Sequence, residues 1–151
     1  MRYKALFFLS ILVVFASCFL FKDYRKSQFS YTNKGQAAII PLVVPKGFTK
    51  QERVDSAGIS MQTYHYPGGA ILYAAFLADT SFEMQQFPIA LHQPQIHRLG
   101  GLVYKGQDAK ELFYREIRQG NLRFGYRQVP GAWELQFDSA TNFASLQKPL
   151  Q

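Results

Sequence analysis

Four residues toward the C-terminus have side chains that suit the binding of an anionic group: Tyr114, Arg118, Arg123 and Arg127. Each guanidinium carries a planar fork of N–H donors that fits a phosphate or a carboxylate with two parallel hydrogen bonds. A Gly-Asn turn at residues 120–121 predicts that the flanking strands pair as a hairpin, which places all four side chains on one face. The pattern therefore predicts an anion-binding surface. The alternative is a solvated sheet face on which Glu116 bridges its arginine neighbours, an arrangement that contributes little to stability.

Residues suited to metal binding or acid–base catalysis are few. His92 and His97 are five residues apart, a spacing that matches neither a helical i, i+4 pair nor the common zinc-finger spacings. Asp79 and Glu83, four residues apart, favour a solvated helix face over a pair of catalytic carboxylates, and no nucleophile elbow is present. The sequence therefore predicts no catalytic residue, metal or cofactor. An envelope hydrolase with its site in residues 78–101 stays open as the alternative.

The single cysteine, Cys18, lies near the end of an apolar run at residues 5–21 that follows a basic start. This order is typical of a bacterial export signal, and Ala16 and Ser17 are the small residues expected beside a cysteine that becomes acylated. Residues 1–21 are therefore interpreted as a lipoprotein signal with Cys18 as the lipidation site. An uncleaved membrane anchor stays open, because about 17 to 25 apolar residues span a bilayer. Simple secretion after nearby cleavage is the third possibility.

The charge of the chain is consistent with a place at a membrane surface. The formal net charge is +7, and basic residues follow the apolar run directly. Near an anionic leaflet each of them contributes on the order of 1 kcal/mol. The chain has no RNA- or DNA-binding motif, so nucleic acid is not an expected partner. The expected partners are the membrane through the N-terminus, an anionic lipid or envelope glycan, and an unidentified protein, with the domain outside the cytoplasm.

The composition predicts one folded domain. The chain is 48% hydrophobic and 16% aromatic, which is enough for a self-sufficient core. We place the domain at residues 37–147, after a polar basic tether at residues 22–36. The expected fold class is α+β: an antiparallel sheet of about five strands with a C-terminal helix packed on one face.

Hydrophobic patterns in the first half of the domain predict its elements. Residues 37–44 indicate an edge strand, and the Thr-x-x-Glu pattern from Thr49 to Glu52 has the form of a capping box that starts a short helix. Residues 59–66 and 70–77 flank a Pro-Gly-Gly sequence and predict a hairpin. The second of these runs is apolar on both faces, which favours a central strand.

The second half contains the clearest register. A short helix is expected near residues 81–86 and a strand at 102–105. The Gly-Asn turn then places Ile117 opposite Phe124, and Arg115 opposite Tyr126. One face of that hairpin is predicted to be apolar: Phe113, Ile117, Leu122, Phe124 and Tyr126. The final helix has an apolar stripe that should lie on this face: Trp133, Phe137, Ala140, Phe143 and Ala144.

Several short motifs are shared with a known group of proteins. They are Val44-Pro45-Lys46-Gly47-Phe48, Tyr114-Arg115-Glu116-Ile117, Gly120-Asn121, Gly125-Tyr126-Arg127-Gln128-Val129-Pro130 and Phe137-Asp138-Ser139-Ala140. Over residues 43–146 the chain resembles small uncharacterised lipoproteins of Bacteroidota-type bacteria. The resemblance implies export and supports the expected fold. It implies no catalytic residue and no known activity.

Overall fold

The computed structural model describes residues 22–81, 95–97 and 100–149, which adopt an α+β fold. The elements of these residues are β1 (Tyr24–Asn33), β2 (Gln36–Pro45), β3 (Lys50–Ser56), β4 (Ile59–His65), β5 (Ile71–Leu77), β6 (Gln95–His97), β7 (Gly101–Gln107), β8 (Phe113–Gln119), β9 (Leu122–Val129) and α1 (Glu134–Leu146). Short 3₁₀ turns at Pro67–Gly69 and Gly131–Trp133 precede β5 and α1.

The strands form two antiparallel sheets. β1 and β2 pair with each other, and the other seven lie in the order β3-β4-β5-β9-β8-β7-β6. The expected hairpin around Pro-Gly-Gly is β4–β5, and β5 lies inside the sheet as its apolar sequence predicts. The expected sheet of about five strands is too small. The larger sheet gains β3, for which the sequence predicted a helix, and the short strand β6.

The segment after Thr49 is a strand and not the helix that its capping-box pattern predicts. β3 pairs with β4 along its whole length. Glu52 forms an ion pair with Lys50 on its own strand (2.6 Å), and its other carboxylate oxygen lies 2.7 Å from His65 Nε2 on β4. Thr49 Oγ1 donates to the carbonyl of His65 (3.3 Å) instead of capping a helix. A helix of one or two turns is marginal in water, so pairing with β4 outweighs the local preference.

The strand β1 corrects the expectation that residues 22–36 form a polar tether outside the domain. β1 pairs with β2 over ten residues, and Lys34 and Gly35 join them with φ angles of 49° and 81°. Two positive φ angles are the type I′ geometry that suits a two-residue hairpin. Phe29 of β1 is fully buried in the core. The domain therefore begins with β1, whose basic residues are exposed.

The main hydrophobic core lies on one face of the seven-stranded sheet. Both the β1–β2 hairpin and α1 pack there, and each contributes fully buried side chains such as Phe29 and Phe137. The ring of Phe137 meets those of Tyr66 and Tyr126 edge-on, with centroids 4.8 and 5.7 Å apart. The predicted helix stripe is therefore confirmed at its centre. At its ends, Trp133 and Phe143 are only partly buried.

The β8–β9 hairpin has the register that the sequence predicts. Ile117 pairs with Phe124, and Arg115 pairs with Tyr126. One departure follows: a bulge near Gln128, whose φ is 55°, inserts an extra residue into β9. Because of the bulge, Tyr126 and Val129 both face the core although they are three residues apart.

Three expectations fall largely or wholly on residues outside the described ranges: the signal with Cys18, the helix at 81–86, and the loop at 78–101. Among the described helices, none is both long and apolar enough to cross a membrane.

Candidate anion-binding site

The four predicted anion-binding residues lie on one face of the seven-stranded sheet, opposite the face that packs on α1. Arg118 in β8 lies directly across from Arg123 in β9. Arg127 follows four residues later in β9, and Tyr114 precedes Arg118 by four residues in β8. Strand alternation therefore directs all four to the same side. We define the arginine face by eight residues: Tyr73, Tyr104, Tyr114, Glu116, Arg118, Arg123, Gly125 and Arg127.

A glycine creates the space at the centre of the arginine face. Gly125 pairs with Tyr73 of β5 on one side and with Glu116 of β8 on the other. A Cβ at Gly125 would overlap the Tyr73 hydroxyl and the carbonyl oxygen of Arg115. Because that position has no side chain, the ring of Tyr73 crosses it, and its hydroxyl donates to Glu116 Oε2 (2.5 Å). Three strands are thus joined through one buried hydrogen bond.

Glu116 is a buried carboxylate with two donors. Its residue surface is only 2% exposed, and Oε1 accepts from Arg118 Nε (2.6 Å) while Oε2 accepts from Tyr73. The guanidinium of Arg118 also lies over the ring of Tyr104, 4.4 Å from its centroid. Glu116 therefore does bridge to one arginine, as the alternative interpretation expected. The face is nevertheless not a solvated one, because Glu116 and Tyr73 are buried.

Tyr73 remains protonated in this environment. Burial, followed by the neighbouring Glu116 carboxylate, raises the pKa of the Tyr73 hydroxyl well above its ordinary value. Burial also raises the pKa of Tyr114. The two phenols are therefore neutral hydrogen-bond donors over the physiological pH range.

Arg123 is a buried cation whose acceptors are neutral. It is 4% exposed, and its Nη1 donates to the carbonyl oxygens of Gly120 (2.5 Å) and Leu122 (2.9 Å). Burial lowers the pKa of Arg123, and burial also lowers the pKa of the half-buried Arg127. Both shifts mean that the charged form loses hydration, which is the environment in which an added anion gains most.

The arginine face carries an excess of positive charge. The eight residues that define it include three guanidinium groups and a single carboxylate, that of Glu116. Arg123 is buried, and Arg118, its direct partner across the β8–β9 hairpin, is partly exposed. The partly exposed Arg127 lies four residues further along β9, beyond Gly125 and the Tyr73–Glu116 hydrogen bond. An anion at this face would meet guanidinium groups from both strands of the hairpin.

The other candidate residues are held by local contacts or lie outside the described ranges. His65 is paired with Glu52, and His97 is the last residue of β6. Asp79 accepts from the amide (2.9 Å) and hydroxyl (2.7 Å) of Ser81, which closes a turn and lowers the pKa of the Asp79 carboxyl. His92 and Glu83 are outside. Within the described part of the chain, no three histidine, cysteine or acidic residues are grouped to hold a metal ion.

Sequence reasoning missed a polar cluster between α1 and the sheet. Asp138 of α1 accepts from Tyr126 Oη (2.8 Å) and from Lys105 Nζ (2.7 Å). Arg115 donates to Asn142 Oδ1 (2.8 Å) and to the Asp138 carbonyl (3.1 Å). These bonds fix α1 over β7, β8 and β9. The only sequence signal was the predicted placement of Arg115 on the helix-facing side of β8.

Comparison of the chain with protein-family models, with curated proteins and with solved structures finds no match. The resemblance to small bacterial lipoproteins therefore stays a prediction from the motifs.

Proposed function

We propose that this protein is a membrane-tethered binding module of the bacterial cell envelope, without enzymatic activity. In this proposal, its arginine face binds an anionic group of a lipid headgroup or an envelope glycan. Two features support the proposal. The apolar run at residues 5–21 contains Cys18 near its end, which suits acylation and retention at a membrane. The folded domain begins immediately afterwards at β1, so the tether is short and keeps the domain close to the lipid surface.

The observation that carries the proposal is the burial of Arg123 on a sheet face that also carries Arg118 and Arg127. Its guanidinium donates to backbone carbonyls, while Glu116 is already engaged by Arg118 and Tyr73. A buried charge is costly unless it is paired. A phosphate or carboxylate bound here would add negative charge to that of Glu116, which already acts on Arg123, and would accept from planar guanidinium donors.

The chemistry of the arginine face favours binding over catalysis. A general acid or base works best when its pKa lies near the working pH. The pKa values of Tyr73 and Tyr114 are instead raised by burial, and the Glu116 carboxylate is occupied by two donors. The two phenols therefore stay protonated near neutral pH, which suits recognition of a constant negative charge.

The test is a series of melting temperatures for the full chain in a neutral polyoxyethylene detergent at constant ionic strength. The added compounds are inorganic phosphate, glycerol 3-phosphate, dihexanoyl phosphatidylglycerol and glucuronate, with dihexanoyl phosphatidylcholine as the zwitterionic comparison. A ligand that binds only the folded state stabilises it, by about 2.7 kcal/mol at one hundred times its Kd. We expect at least one anion to raise the melting temperature and the zwitterionic lipid to have little effect.

Matched variants separate the arginine face from general charge. Arg127→Gln removes one charge from the face and should reduce the rise in melting temperature. Lys148→Gln removes the same charge from an exposed position beyond α1 and should leave the rise unchanged. A rise in melting temperature with glycerol 3-phosphate indicates that the phosphate group is recognised. A rise with the anionic lipid alone indicates a headgroup with its chains, and a rise with glucuronate alone indicates an acidic glycan. If no anion stabilises the chain, or if Arg127→Gln responds like the parent, the proposal is wrong.

A further inference from the structure

A second concave surface lies on the opposite side of the seven-stranded sheet from the arginine face. It is an open cleft of about 520 Å³ between the β1–β2 hairpin and the end of β3, β4 and β5. Small-molecule sites commonly measure about 300 to 1,000 Å³. The residues that line it come from five strands and the adjoining turns, and include none of the residues of the arginine face.

The rim of the cleft is a polar clamp without net charge. Arg53 of β3 donates through Nε and Nη2 to the two carboxylate oxygens of Asp55, at 2.5 and 3.1 Å. The same guanidinium reaches across to β1, where it donates to Ser30 Oγ (2.6 Å) and to the Ser30 carbonyl (3.0 Å). Because the cation and the carboxylate neutralise each other, the rim favours an uncharged ligand.

The floor of the cleft is aromatic and contains a phenol with an open hydroxyl. The rings of Tyr31 and Phe76 are stacked, with centroids 4.5 Å apart and planes 15° from parallel. Tyr31 is only 7% exposed, yet within the described residues its hydroxyl takes part in no hydrogen bond. The position of Tyr31 in the wall of the cleft leaves its hydroxyl available to a ligand.

Short hydroxyl side chains complete the lining. Ser30 and Thr32 come from β1, and Ser60 comes from β4. A hydroxyl both donates and accepts, so a group of hydroxyls suits a ligand that also carries several hydroxyls.

We propose that this cleft binds one uncharged sugar unit, either free or as part of a glycan chain. The polar edge of the sugar lies along Ser30, Ser60 and the Arg53–Asp55 clamp, and one of its hydroxyl groups bonds to the Tyr31 hydroxyl. This site is independent of the arginine face and of the anion-binding function proposed for it.

The test uses the full chain in the same polyoxyethylene detergent, because a glycoside detergent would compete for the cleft. Binding of glucose, N-acetylglucosamine, a disaccharide of the latter and glycerol is measured by saturation-transfer NMR and titration. Tyr31→Phe removes only the hydroxyl that faces the cleft. Since one hydrogen bond contributes about 0.5 to 1.5 kcal/mol net, we expect the Kd to rise about two- to twelvefold. Tyr24→Phe is the matched control on the same strand, because the Tyr24 hydroxyl bonds to the Gln136 carbonyl away from the cleft.

The outcomes are distinct. Sugar binding that weakens in Tyr31→Phe and not in Tyr24→Phe supports the site, and tighter binding of the disaccharide identifies a glycan chain as its source. The proposal is overturned if no sugar binds at millimolar concentration, if glycerol binds as tightly as the sugars, or if the two variants lose affinity equally.

Discussion

Replacing Phe29 by alanine tests whether β1 belongs to the folded domain. The Phe29 side chain is 0% exposed, and its ring stacks on Tyr31 with centroids 5.7 Å apart. Truncation of a fully buried phenylalanine loses the transfer free energy of the ring and leaves a cavity, for a total of about 3 to 5 kcal/mol. Small domains are stable by about 5 to 15 kcal/mol, so Phe29→Ala should remove a fifth or more of the total.

The assay is equilibrium urea unfolding of residues 22–151, followed through the fluorescence of Trp133. Lys26→Ala is the control, because Lys26 is an exposed residue of the same strand and its loss should change the free energy of unfolding by less than about 0.5 kcal/mol. A fragment that begins at residue 37 should show no cooperative transition, since it lacks β1 entirely. If Phe29→Ala costs under about 1 kcal/mol, or if the shorter fragment unfolds cooperatively, β1 is not part of the core.

Three further predictions concern the arginine face and the N-terminus. Gly125→Ala should lower the free energy of unfolding by about 1 to 3 kcal/mol, because its Cβ would overlap a backbone carbonyl and the Tyr73 hydroxyl. Gly131→Ala is the control in the same urea unfolding assay. Its Cβ meets only ordinary contacts, so the free energy of unfolding should hardly change. The folded state keeps the Tyr73 proton above about pH 10, where an unfolded phenol loses it. The stability linked to the Tyr73 hydroxyl is therefore present below that pH and falls by about 1.4 kcal/mol per pH unit above it. In Tyr73→Phe this contribution is absent, so the slope of unfolding free energy against pH should be shallower by about 1.4 kcal/mol per pH unit. Mass spectrometry of the mature chain should find an acylated Cys18, and Cys18→Ser should release the protein from membranes; an intact segment of residues 1–21 would favour the uncleaved anchor.

The parts of the fold that the sequence predicted are those that a local pattern determines. The Gly-Asn turn and the alternation of apolar residues set the register of Ile117 against Phe124, because a shift by one residue would exchange the two faces. The same reasoning placed Arg118, Arg123 and Arg127 on one side. The apolar sequence of β5 indicated an interior strand, since a strand buried on both faces reads as continuous hydrophobic residues.

The errors arose where long-range pairing outweighed or concealed a local signal. The basic residues of β1 are typical of a polar tether, whereas the alternation of Phe29 and Tyr31 with polar residues and the Lys-Gly turn at 34–35 indicate a hairpin strand. β3 carries a capping-box pattern that no helix uses, because Glu52 instead pairs across to His65. An edge strand tolerates such charges well, which is why its composition resembles that of an exposed helix.

The sequence could predict which residues share the arginine face, but not their burial or their contacts. Nothing local indicates that β5 lies beside β9, so the sequence could not show that Tyr73 would cross Gly125 to reach Glu116. It also could not show that Arg123 would be buried. The sequence shows only that position 125 has no side chain. The structure shows the consequence, which is that the Tyr73 ring crosses Gly125 and bonds to Glu116.

The most direct test of the anion-binding function is the Kd of the full chain for dihexanoyl phosphatidylglycerol, measured by calorimetry across a salt series. The partly exposed charges of Arg118 and Arg127 are screened over about 8 Å at physiological ionic strength, so attraction to them must weaken as salt rises. We predict binding at low salt that weakens steadily with added salt, and a shallower salt dependence with a higher Kd for Arg127→Gln. Binding that does not change with salt, or that is the same in Arg127→Gln and the parent chain, would contradict the account.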